Sequence, residues 1–153
     1  MKQLTPATVS PRVRLANYLE VRPAMVWGPR SISDFELILI VSGRYSYEPS
    51  GKDCIAIRPG QVLCIPPVEE HVLRRTDNEP CSIISCIHLE LDHAATWLQG
   101  GYDLEPFPPC LTTVDDVARM HDHFRYCRDL FAGYGRYRNA LLSTIAKETV
   151  LLL

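Results

Sequence analysis

The chain has 153 residues, 46% of them apolar and 22% charged, and its net charge is −2 at pH 7. This size and composition are typical of one soluble globular domain with a buried core. The charge argues against a chain that binds duplex nucleic acid by itself, because such proteins displace counterions with clustered Lys and Arg. The start of the chain lacks the apolar core of a secretory signal, and no apolar run reaches the ~20 residues of a membrane span. We therefore expect no membrane partner.

Six cysteines occur without a Cys-x-x-Cys pair, and several of them fall in apolar segments. Buried free thiols in a cytoplasmic protein are the better interpretation, and a disulfide framework is the alternative. We expect a bacterial cytoplasmic location. The cysteines are Cys54, Cys64, Cys81, Cys86, Cys110 and Cys127.

The first half of the chain predicts strands. Residues 1–14 are an arm that either lies across the fold or frays, and residues 15–27 contain one or two strands. An apolar run at 35–41, stopped by Ser42-Gly43, predicts a buried strand. Short strands separated by Gly and Pro turns follow and indicate an antiparallel barrel or sandwich. They cover residues 44–48, 54–57, 62–65, 72–75 and 81–91.

The second half changes to a helical period after a Gly- and Pro-rich linker at 99–112. A first helix follows, with Thr113 and Asp116 resembling a capping arrangement. Its predicted buried stripe is Val114, Val117, His121, Phe124, Cys127 and Phe131. The pair His121 and His123 resembles metal ligands, but residues two apart diverge on a helix, so we expect His121 buried and His123 solvated. A second helix starts near residue 137 and reaches residue 153 without a stop signal, so we expect the native protein to continue.

Several motif residues stand at the spacings of the cupin family: Gly43, Pro59-Gly60, Pro66 and His71. The flanking segments at 30–38 and 86–92 resemble the ligand-sensing domain of AraC-type transcription regulators. The resemblance implies a mainly β fold, a cupin-like antiparallel β-barrel (jelly roll) over residues 15–98, followed by two α-helices within 99–153. It also implies an amino-terminal arm at 1–14 and a helix-turn-helix DNA-binding domain beyond this segment.

The metal-binding cupin pattern is only half retained. Glu36 and His71 stand at ligand positions, whereas Arg30 and Ile32 stand where the paired histidines would fall. A transition metal needs about three or four N, O or S ligands, so we expect no metal, no cofactor and no catalytic residue.

The predicted ligand-binding residues include Arg30, Glu36 and His71, which face one interior. A partly buried Arg30 needs a carboxylate or an acceptor-rich ligand. Either it forms a structural pair with Glu36, or both residues contact a sugar or organic acid, and the two alternatives stay open. Cys86 and His88 share a strand face that lines the pocket in the resembled family.

Aromatic side chains are weaker candidates. Tyr45 is included as a ligand contact because a ring can stack on a sugar, as Tyr47 and Trp27 also could, although barrel aromatics more often only pack.

The resemblance predicts an effector-sensing and homodimerising domain, with Leu141, Leu142 and Ile145 at the dimer interface. It would bind a small polar effector, a sugar or organic acid, and reach DNA only through the further domain. The alternative is a stand-alone metal-dependent cupin enzyme of isomerase or dioxygenase type.

Overall fold

The computed structural model describes residues 2–153, which form strands followed by two helices. The strands are β1 (Lys2–Leu4), β2 (Arg12–Val21), β3 (Val26–Arg30), β4 (Phe35–Ser42), β5 (Tyr45–Pro49), β6 (Ile55–Ile57), β7 (Gln61–Ile65), β8 (His71–Arg75), β9 (Ser82–Glu90), β10 (Tyr102–Leu104) and β11 (Leu111–Thr113). The helices are α1 (Val117–Ala132) and α2 (Arg138–Leu151). Neither helix is both long enough and apolar enough to cross a membrane.

Two antiparallel sheets form a jelly roll. One sheet has the strand order β11-β7-β4-β9-β2, and the other has the order β3-β8-β5-β6. The predicted fold class, mainly β with two carboxy-terminal helices, is confirmed. The sheets do not close into a barrel, because β2 and β3 remain edge strands.

Strand β4 separates two hydrophobic cores. Its residues alternate between the two faces of the sheet. Phe35 and Leu37 pack toward the helices, while Ile38 and Ile40 pack between the sheets. Both faces of this strand are therefore covered, and Glu36 is the one charged residue in the run at 35–41.

Helix α1 buries part of the predicted stripe. Its buried residues are Met120, His123, Phe124 and Cys127, so Phe124 and Cys127 are buried as predicted, whereas Val117 is 45% exposed. The prediction that His123 is solvated was wrong. The helix starts at Val117 with Asp116 as its cap, not Thr113, and its first buried residue is Met120.

The predicted amino-terminal arm at 1–14 and the predicted linker at 99–112 both contain strands. Within residues 1–14, β1 pairs in parallel with β10, and β2 begins at Arg12. Within the predicted linker, β11 extends the five-stranded sheet beside β7. Backbone pairing between distant segments outweighs the Pro-rich composition that predicted an arm and a linker here.

All six cysteines are free, as predicted, but only three of them are buried. Cys64, Cys86 and Cys127 lie in the cores, whereas Cys54 and Cys81 are exposed.

A candidate ligand site between the two sheets

Four of the predicted residues meet at one end of the space between the sheets. Arg30 on β3 and His71 on β8 are partners in strand register, as are Glu36 on β4 and His88 on β9. One pair belongs to each sheet, so the four side chains join the sheets face to face.

Arg30 lies at the centre of this group. Its Nη2 donates to Glu36 Oε2 at 2.8 Å, and its Nε donates to His71 Nε2 at 3.3 Å. His71 Nδ1 is 2.9 Å from the carbonyl oxygen of Glu69, which can only accept, so the ring donates through Nδ1 and accepts from Arg30 through Nε2. The predicted Arg30–Glu36 pair is therefore present.

His88 lies between two carboxylates. Its Nδ1 is 3.1 Å from Asp34 Oδ1, and its Nε2 is 3.2 Å from Glu36 Oε1. Burial by itself lowers the pKa of His88, but hydrogen bonds and negative charges from Asp34 and Glu36 outweigh burial and raise the pKa to about 9. His88 is an imidazolium at neutral pH, and the charge network of Arg30, Asp34, Glu36 and His88 holds two cations and two anions.

Asp34 was missed as a site residue by sequence reasoning. It precedes β4 and is two residues before Glu36, so strand alternation directs both carboxylates to the same face. That spacing was the available signal. Arg14 on β2 is a more distant neighbour, with its Nε 3.8 Å from Asp34 Oδ2.

Cys86 lies on the same face as His88 but deeper. The thiol is buried, and burial together with the negative charge of Glu36 raises its pKa well above the ordinary value. Cys86 is thus a protonated apolar wall of the site and not a nucleophile.

Tyr45 does not join this site. It is the register partner of Arg75, whereas the β5 residue opposite His71 is Pro49, about 13 Å further along the strand. The Tyr45 hydroxyl hydrogen-bonds the Ser82 hydroxyl instead. Tyr47 is the aromatic neighbour: its ring centroid lies 5.5 Å from that of His71, and its hydroxyl donates to Glu69.

A metal ion of the cupin type does not fit these residues. The Arg30 guanidinium donates hydrogen bonds to His71 Nε2 and to Glu36 Oε2, and His88 Nε2 contacts Glu36 Oε1. The atoms that would bind a metal therefore already have partners. Across residues 2–153, no three His, Cys, Asp or Glu side chains are grouped so that they could hold a metal ion. We assign no metal chemistry to this site.

Access to the network is through Arg30. Its side chain is 33% exposed, whereas that of Glu36 is 3% exposed. Among the hydrogen bonds of the described chain, Arg30 Nη1 makes none. Arg30 Nη1 is therefore a free donor for an entering acceptor, and the Arg30 side chain is more exposed than those of Asp34, Glu36 and His88.

The predicted interface residues divide between surface and core. Leu141 is 42% exposed, but Leu142 is 3% exposed and Ile145 packs on the same core. Leu142 and Ile145 belong to the contact between α2 and the sheet of the same chain, because they face inward on the helix. Of the three predicted interface residues, Leu141 is the exposed one.

Known proteins resemble the chain in fold alone. No protein-family model matches it, and no curated protein matches it. The protein YhaK from Escherichia coli superposes with a TM-score of 0.51 at 15% identity, over 69% of this chain and 43% of YhaK. The chain thus spans less than half of YhaK.

Two further solved structures are more distant. A cupin superfamily protein from Desulfitobacterium hafniense has a TM-score of 0.44 at 18% identity, over 51% of this chain and 67% of its own. A predicted oxalate decarboxylase from Thermotoga maritima has a TM-score of 0.45 at 22% identity, over the same two shares. With its two face-to-face antiparallel sheets, the chain is a cupin-fold domain followed by two helices.

Proposed function

We propose that this cupin-fold chain is the effector-sensing and dimerising domain of an AraC-type transcription regulator. It binds a small polar metabolite, a sugar or an organic acid, and DNA is contacted by a separate carboxy-terminal domain. The chain itself is a receptor and not an enzyme.

The observation that carries this proposal is the buried charge network that joins the two sheets. Each charged group already has a partner inside the protein, and Arg30 keeps one free nitrogen, Nη1, so a ligand oxygen that binds there shares the guanidinium with Glu36. A change in the Arg30–Glu36 pair alters a link between the sheets. A ligand with different affinities for the two arrangements shifts the balance between them, which is what a sensor requires.

We expect the Arg30→Ala variant to lose effector binding. Arg30 supplies charge-assisted hydrogen bonds, whose removal costs about 1.5–3 kcal/mol and weakens binding about 10- to 150-fold. A thermal-shift screen of sugars and organic acids against the wild-type chain identifies the effector, and calorimetry on the variant measures its affinity.

The matched control is Arg74→Ala. Arg74 pairs with Glu48 through its Nε at 2.9 Å, and both side chains are largely exposed on the same sheet. This variant should bind the effector as the wild type does. Intact affinity of Arg30→Ala together with lowered stability would instead give Arg30 a structural role only.

We also propose that the domain forms a homodimer through the outer side of the two helices. Leu141 lies there beside Tyr126 and Tyr137, which are 44% and 66% exposed. Leu141→Asp should convert a sedimenting dimer to a monomer, because it places a charge in an apolar contact. Leu98→Asp, at a leucine that is 66% exposed elsewhere, should remain dimeric. An unchanged Leu141→Asp dimer would place the interface on another surface.

A further inference from the structure

A second cavity lies outside the charge network, between the start of β2 and the start of α2. Its volume is about 340 Å³, which lies at the lower end of the range of small-molecule sites. The lining residues are Pro11, Arg12, Val13, Arg14, His93, Arg138, Asn139 and Leu142. Three arginines and a histidine thus meet around one space, and the lining contains no carboxylate.

The arginines are held there by uncharged or distant partners. Arg138 Nη1 donates to the carbonyl oxygens of Phe131 and Gly133 at 3.3 and 3.2 Å, so the side chain is fixed while its charge stays uncompensated. Arg12 is exposed and has no ion pair within residues 2–153. Arg14 lies 3.7 Å from Glu90 Oε1 and 3.8 Å from Asp34 Oδ2, beyond hydrogen-bond distance.

The neighbouring carboxylates are engaged in part. Glu90 accepts through Oε2 from the Tyr102 hydroxyl and from the backbone amide of Trp97, while its Oε1 faces Arg14 and makes no hydrogen bond. Asp92 accepts from Lys2 at 2.9 Å, and Asp34 is held by His88. The positive charge of the cavity is therefore only partly balanced by the acidic groups next to it.

The first turn of α2 adds to this field. Its cap residue, Tyr137, makes no side-chain capping hydrogen bond, and the turn contains no acidic residue. Arg138 and Asn139 open the helix at the cavity wall. The positive end of a helix dipole favours an anion, so the helix and the arginines act in the same direction.

We propose that this cavity binds the anionic group, phosphate or carboxylate, of a small organic metabolite. Arg12 and Arg14 on β2 would hold the anion from the sheet side, and Arg138 from the helix side. A bound anion would thus link α2 to the edge of the five-stranded sheet. It would also compete with Asp34 for Arg14, which is the one residue shared by this cavity and the surroundings of the charge network.

The test measures binding of glycerol 3-phosphate and citrate by calorimetry, with glycerol and with chloride at matched ionic strength as reference solutes. We expect one of the two anions to bind and glycerol not to bind. Which anion binds distinguishes a phosphate ligand from a carboxylate ligand. Binding of neither anion above the chloride reference would overturn the proposal.

Two variants locate the binding site. Arg12→Gln should lower the affinity for the anion at least tenfold. Arg22 is an exposed arginine just after the far end of β2, and Arg22→Gln should leave the affinity unchanged. Equal losses in both variants would indicate nonspecific attraction and overturn the proposal. A loss confined to Arg30→Ala would place the anion in the charge network and would also overturn it, leaving the proposed sensing role intact.

Discussion

Glu36→Gln should lower the free energy of unfolding by about 3 kcal/mol, the largest change expected from one substitution in the charge network. Glu36 is 3% exposed and is the carboxylate that Arg30 and His88 share. Removing one partner of a buried ion pair leaves the other charge without compensation, which costs about 3–5 kcal/mol, and the partial exposure of Arg30 places the value at the lower end. Urea unfolding followed by circular dichroism measures the change.

Two further variants test this explanation. Glu48→Gln breaks the Arg74 pair, whose side chains are 42% and 38% exposed, and should cost no more than about 1 kcal/mol. The double variant Glu36→Leu/Arg30→Met removes both charges and should recover much of the loss, because a well-packed apolar pair replaces a buried ion pair at little cost. A double variant that is as unstable as the sum of its single variants would contradict the pairing argument.

The stability of the wild-type protein should decline between pH 6.5 and pH 9 because of His88. The folded protein holds the proton of His88 up to about pH 9, whereas an unfolded histidine loses it near pH 6.5. A group whose pKa is raised by folding stabilises the protein fully below its unfolded pKa, and this contribution disappears as the pH rises through the folded pKa. We expect the decline to be roughly 2 kcal/mol after allowance for the 14% exposure of the side chain.

The His88→Gln variant supplies the reference for this measurement. Glutamine has no titrating group, so the difference in unfolding free energy between wild type and variant isolates His88 from thiols and phenols that both proteins share. That difference should be largest at pH 6.5 and should shrink toward pH 9. A difference that stays constant with pH would mean that folding does not raise the pKa of His88.

The sheet and the positions of its turns follow from the sequence. The run at 35–41 is apolar apart from Glu36, which indicates a strand covered on both sides, and β4 is such a strand. The motif residues Gly43, Pro59-Gly60 and His71 lie at chain reversals or strand starts, where local backbone preferences decide the structure. The sequence therefore predicted that Arg30, Glu36 and His71 face the same interior.

Tertiary structure alone decided which side chains pair. The register of β4 with β9 sets Glu36 opposite His88, and Asp34 contacts the other ring nitrogen of His88. The register of β5 with β8 places Tyr45 away from the site, opposite Arg75, and Tyr47 lies beside His71. In α1, packing against α2 and the sheet buries His123. Each of these outcomes depends on contacts between segments that are distant in the chain. Local periodicity therefore predicts the face on which a residue lies but not the residue that it contacts.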